Sequence, residues 1–165
     1  MKLALRWFVP VALTAMGLAW ISEQVALLLG FEPPPQDLVR IFTNPKIVWT
    51  VKAKLALYAV VAAPVIEELI FRMGLFNFFN WLGKKFSKQS VTKVANRFPI
   101  VSALVSGAIF AAVHLHAATF PPLWFLGVAF AWLYWKSGSI CSPMLCHFLF
   151  NLVNLLLCLT VGAEA

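Results

Sequence analysis

Two adjacent glutamates, Glu67 and Glu68, and an arginine, Arg72, stand in a stretch bounded by apolar residues, Leu55 to Ile66 before it and Met73 to Leu82 after it. At the centre of a membrane helix each such charge costs about 2.5–3.5 kcal/mol, so charges there tend to face a polar site. Glu68 and Arg72 are four apart, neighbours on one helical face, and can pair as ions. Two carboxylates sharing one arginine at low dielectric are not equivalent. One is held ionised as an orienting group, and the other can exchange a proton with water. A buried ion pair that only fixes helix packing accounts equally well for Glu68 and Arg72, but it leaves Glu67 unexplained.

Two further polar groups occur at helical spacing. His114 follows Phe110 by four residues, and His147 precedes Asn151 by four, with Asn154 one turn on. His116, two residues beyond His114, points elsewhere. Each is explicable singly, a histidine as a packing residue and a His/Asn pair as interhelical hydrogen bonding. Together with Glu67 they supply a carboxylate base, an imidazole partner and two donors for an oxyanion. Ser102, Ser106, Ser142 and Cys146 lack a local activating motif, which points to water as the nucleophile. Three other readings stay open. Glu67, His114 and His147 are a possible His₂Glu zinc set, although no HExxH is present. A non-catalytic binding or immunity protein would use the same groups for affinity. Intramembrane carboxylates also relay protons in transporters, but no internal repeat is evident.

The elements that must carry these groups are membrane helices. The chain of 165 residues is 62% hydrophobic and has a mean hydropathy of +0.87, far above soluble domains. Its apolar blocks have the length a hydrocarbon layer about 30 Å thick demands. The expected fold is therefore all-α, a polytopic bundle of about five transmembrane helices forming a single membrane domain over residues 1–165. Helix one is read from about Arg6 to Leu29, ended by Gly30 and by Glu32-Pro33-Pro34-Pro35. Its length argues for a retained helix rather than a signal peptide. Residues Asp37 to Phe42 form a short amphipathic piece, equally readable as a packed surface turn. A stretch from about Lys46 to Leu82, kinked near Pro64, is too long for one perpendicular span and is either one bent helix or two segments. Gly83 to Phe98 reads as a polar loop. Helices follow from Pro99 to about His116, Pro121 to Trp135 and Ile140 to Val161.

The net charge of +7 forms no basic stripe, which excludes a nucleic-acid partner. Lys2, Arg6, Lys84, Lys85, Lys88, Lys93, Arg97 and Lys136 fall on one side of a five-span arrangement, and Arg40, Lys46, Lys52 and Lys54 on the other. That asymmetry predicts a cytoplasmic amino terminus in a multi-pass protein of the plasma (inner) membrane. Trp7, Trp49, Trp81, Trp124 and Trp135 near helix ends suit an aromatic belt. Cys141, Cys146 and Cys158 lack metal-ligand spacing and read as small core hydrophobes. One conflict arises from simple depth counting, which sets His114 near the non-cytoplasmic end of its helix, away from Glu67 and His147.

Three motifs carry a family resemblance: Glu67-Glu68-Leu69-Ile70-Phe71-Arg72, then Phe110-Ala111-Ala112-Val113-His114, then His147-Phe148-Leu149-Phe150-Asn151. In this order, each within an apolar span, they resemble the CAAX prenyl endopeptidase and bacteriocin-processing family of membrane glutamic proteases, over roughly Ala53 to Thr160. The resemblance implies that Glu67 and His114 activate a water, that His147 and Asn151 hold the oxyanion, and that Glu68 and Arg72 orient the motif helix. It implies no cofactor and no metal. The implied partners are the lipid bilayer and a membrane-associated peptide or protein substrate, with the oligomeric state open. The chain is short for the family, with one clear helix before the motif helix.

Overall fold

Apolar side chains run along nearly every turn of this sequence, and the computed structural model, described here for residues 1–32, 37–86 and 98–161, is all-α, with no strand among those residues. Helix α1 spans Lys2–Leu28, the short α2 Asp37–Thr43, and α3 Trp49–Leu57. A π-helical segment, Tyr58–Ala62, leads into α4, Ala63–Glu68, and a second, Leu69–Phe76, into α5, Asn77–Phe86. Helix α6, Phe98–Ala112, is joined through a 3-10 turn at Ala117–Thr119 to α7, Phe120–Ser137, and α8 is Cys141–Val161. The stretches around α1, α7 and α8 are long and apolar enough to cross a membrane, and α6 is a shorter apolar helix. The chain is a helical membrane bundle in which the composite rod α3 to α5 packs on one side against α6, α7 and α8 and leaves its other side exposed.

The expected amphipathic piece is a helix, α2. The region from Lys46 is not two separated helices. It is one uninterrupted rod from Trp49 to Phe86 whose turns widen on both sides of α4. Such π turns are rare and recur at functional sites. The rod also extends through Phe86, into what reads as a polar loop from sequence. Residues 87–97, with Lys88, Lys93 and Arg97, lie outside the described residues, as does the proline run from Pro33.

Ala4, Val11 and Ala15 of α1 pack with Leu126, Phe130 and Leu133 of α7 and Cys146 of α8. Phe76, Ala103 and Ala131 join the rod to α6 and α7. Leu13, Trp20, Leu57, Ile70 and Leu156 are exposed, a surface that suits hydrocarbon and would aggregate in water. Cys146 is buried, Cys158 half-buried and Cys141 exposed, so the core reading of the cysteines holds for Cys146 alone.

Helices α6 and α7 approach each other through glycine. A Cβ on Gly127 would lie 2.6 Å from the Gly107 Cα, and one on Gly107 would lie 3.0 Å from the Val128 nitrogen. Small residues allow such crossings in membranes, where packing rather than water drives association. Gly127→Ala should therefore force the helices apart and destabilise the fold by about 1–3 kcal/mol, read as a lower melting temperature in detergent. Gly17→Ala, whose new methyl would meet nothing within 4 Å, should match the wild type or exceed it.

Candidate active site

The rod brings Glu67 and Glu68 to the middle of the bundle and separates their fates. Glu68 is fully buried. One of its oxygens, Oε1, accepts from His147 Nδ1 at 2.9 Å, and the other lies 2.9 Å from Arg72 Nε. The side chain of Glu67 keeps 27% of its surface exposed, and its Oε2 stands 3.7 Å from His147 Nε2. His147 thus lies between two carboxylates, bonded to one and just beyond hydrogen-bond reach of the other. Because a carboxylate only accepts, Nδ1 of His147 carries a proton.

Arg72 is held less by hydrogen bonds than by aromatic faces. Its contact with Glu68 is an ion pair by distance but poorly aligned, leaving Nε and Nη1 without hydrogen-bond partners among the described residues. Nη2 donates to the Gly127 carbonyl at 3.3 Å. The guanidinium carbon lies 4.9 Å from the ring centre of Phe110, 5.3 Å from Phe130 and 5.9 Å from Phe71. Such contacts are worth most where water is excluded. The same rings reach the imidazole: Phe130 stacks on His147 at 4.9 Å, and Phe110 meets it edge-on at 6.0 Å. Sequence reasoning missed Phe130 and Gly127. An aromatic in an apolar helix has no distinguishing pattern, and a backbone carbonyl has no residue-type signal at all.

His114 does not sit in a helix that runs to His116, as its spacing suggests. Helix α6 ends at Ala112, where the His114 and Leu115 amides bond back to Ala111 and Ala112 in a tight turn. Leu115 takes φ 58°, a left-handed conformation strained for a residue with a Cβ. The turn folds His114 against Phe110, with ring centres 4.8 Å apart and Nδ1 donating to the Phe110 carbonyl at 2.7 Å. The proton on Nδ1 leaves Nε2 as the acceptor of the neutral ring. Phe110 therefore touches both imidazoles, although His114 makes no direct bond to Glu67 or His147 among the described residues. Ser22 of α1 anchors the segment after this turn by donating to the Ala118 carbonyl at 2.6 Å.

Asn151 lies one turn beyond His147 on α8 and donates through Nδ2 to the Ala59 carbonyl at 2.9 Å. An amide nitrogen has two protons, so one remains available. Among the described residues Asn154 bonds within its own helix, to the Phe150 carbonyl, and Thr119 caps onto the His116 carbonyl. No three His, Cys, Asp or Glu side chains group as metal ligands among the described residues, so Glu67, His114 and His147 are not arranged as a His₂Glu set. An apolar recess of about 450 Å³ between α5 and α6, lined by Phe79, Leu82, Phe86 and Val101, contains none of the motif residues.

The site therefore joins Arg72, Glu68, His147 and Glu67 in one chain of contacts, with His114 one aromatic ring away and Asn151 on the adjoining turn. Residues 49–153 match a family model described as type II CAAX prenyl endopeptidase Rce1-like. No curated protein and no solved structure matches the chain significantly.

Proposed function

Given that the chain belongs to the type II CAAX prenyl endopeptidase Rce1-like family, a protease family whose substrates are membrane-associated proteins, we propose that it is an intramembrane glutamic endopeptidase using Glu67 to activate water. The observation that carries this reading is the inequality of the two glutamates. Glu68 is committed to His147 and Arg72, whereas Glu67 is open and faces an imidazole across a 3.7 Å gap.

Glu67 takes a proton from a water whose oxygen attacks the substrate carbonyl carbon. His114, with Nε2 free as an acceptor, shares in polarising that water once substrate closes the site. The carbonyl π electrons move to oxygen, and the oxyanion is met by His147 Nε2–H and the second N–H of Asn151. With Nδ1 already protonated, Nε2 can donate only in the imidazolium form, and carboxylates flank the ring on both sides to balance that charge. Glu67 then passes its proton to the leaving nitrogen as the carbon–nitrogen bond breaks. Donors fixed in a site with little water are worth several kcal/mol of barrier. No covalent enzyme intermediate is needed. The basic residues near the amino terminus and on α5 favour a cytoplasmic amino terminus, in the plasma (inner) membrane.

The test is cleavage of a lipid-anchored peptide by the purified protein in detergent, with and without a zinc chelator. Undiminished turnover with chelator supports the glutamate mechanism. Loss of activity that returns with added zinc would replace it by metal-assisted hydrolysis.

A further inference from the structure

The Ala59 carbonyl that holds Asn151 is vacant for a reason written into the rod. In the first π-helical segment the Ala63 N–H reaches back five residues, to the Tyr58 carbonyl. The next donor in that register would serve Ala59, and it belongs to position 64. Pro64 has no N–H, and the Ala63 N–H is already spent on Tyr58, so the helix places no main-chain donor on the Ala59 oxygen. A carbonyl in a membrane interior must find a partner, and this one finds the side-chain amide of Asn151 at 2.9 Å.

We propose that Pro64 is a positioning residue: by withholding a backbone N–H it reserves the Ala59 carbonyl for Asn151, and so sets the second N–H of that amide toward the site. Pro64 is fully buried, three residues before Glu67 on the same rod, so a residue of the motif helix fixes a donor on α8. The widened turn and the proline are both required. An ordinary α-helical turn would give the Ala59 carbonyl to the Ala63 N–H.

This inference rests on the proposed hydrolysis for its kinetic readout but has a second, independent one. Pro64→Ala supplies an N–H that can take the Ala59 carbonyl and displace Asn151. Expected are a kcat lower by roughly tenfold to a hundredfold, the range for a weakened oxyanion donor, and an unchanged KM. The decisive comparison is with Asn151→Ala and the double variant. If Pro64 acts through Asn151, the double variant is no slower than Asn151→Ala alone, whereas independent structural damage would multiply the losses. In ¹⁵N-labelled protein the Asn151 side-chain amide resonances should move in Pro64→Ala, and the new backbone N–H at position 64 should resist hydrogen exchange. These spectra are informative even if the wild type cuts no peptide, an outcome that would remove the hydrolytic reading alone. Wild-type kcat with unmoved Asn151 signals, multiplied losses in the double variant, or collapse of a rod that has gained a hydrogen bond would each overturn the inference.

Discussion

Glu67→Gln is expected to lower kcat by about a thousandfold or more while leaving substrate affinity and folding close to wild type. General-base catalysis contributes about 10²–10⁴-fold, and the amide keeps the size and polarity of the carboxylate but cannot take the proton of water. The fold should tolerate the change because Glu67 is partly exposed and its nearest polar contact, His147 Nε2, is 3.7 Å away. That weak contact is what separates Glu67 from its neighbour. Turnover of a lipid-anchored peptide by chromatography, alongside binding measured by fluorescence anisotropy of the labelled peptide, checks both halves. Wild-type turnover in Glu67→Gln would remove the carboxylate from the reaction. A changed affinity without any turnover in either protein would favour the binding-protein reading.

Side-chain chemistry at helical spacing makes much of this site legible in the sequence itself. Glu68 and Arg72 had to share a face, as did His147 and Asn151, because i and i+4 positions do so in any helix. The all-α membrane bundle followed from the composition and from apolar blocks long enough to span hydrocarbon as helices. What was not legible depends on contacts between elements. Nothing local says that Glu68 rather than Glu67 accepts from His147, since adjacent residues differ by about 100° around a helix and only packing selects which one turns inward. The count of depth at His114 rested on a helix running to His116. The chain instead turns at Leu115, a residue with no left-handed preference of its own, and folds His114 back on Phe110. The π turns were also hidden, because widening depends on how neighbouring helices engage the rod. Pro64 was readable as a bend, but its effect on Asn151 needed the partner of the Ala63 N–H.

Glu68→Ala should be costly in a different way from Glu67→Gln, and a compensating substitution can separate its two effects. Glu68 and Arg72 are both buried, and Arg72 has only the Gly127 carbonyl as a hydrogen-bond acceptor among the described residues. Removing the carboxylate leaves a guanidinium held by aromatic faces and the Gly127 carbonyl with no counter-charge, and breaking a buried pair in this manner costs about 3–5 kcal/mol. The melting temperature in detergent should fall by roughly 10 °C. His147 simultaneously loses the acceptor that fixes its Nδ1 proton and ring orientation, so kcat should drop at least about a hundredfold, as when the orienting carboxylate of a catalytic histidine is removed. Replacing both members, Glu68→Ala with Arg72→Met, removes the uncompensated charge and should restore most of the stability, since apolar substitutes for buried pairs are often neutral. It cannot restore the hydrogen bond to His147. Recovered melting with persistently low kcat would show that Glu68 orients the imidazole in addition to pairing with Arg72. If activity returned together with stability, Glu68 would be only a packing counterion, and His147 would have to be oriented by its stacking on Phe130.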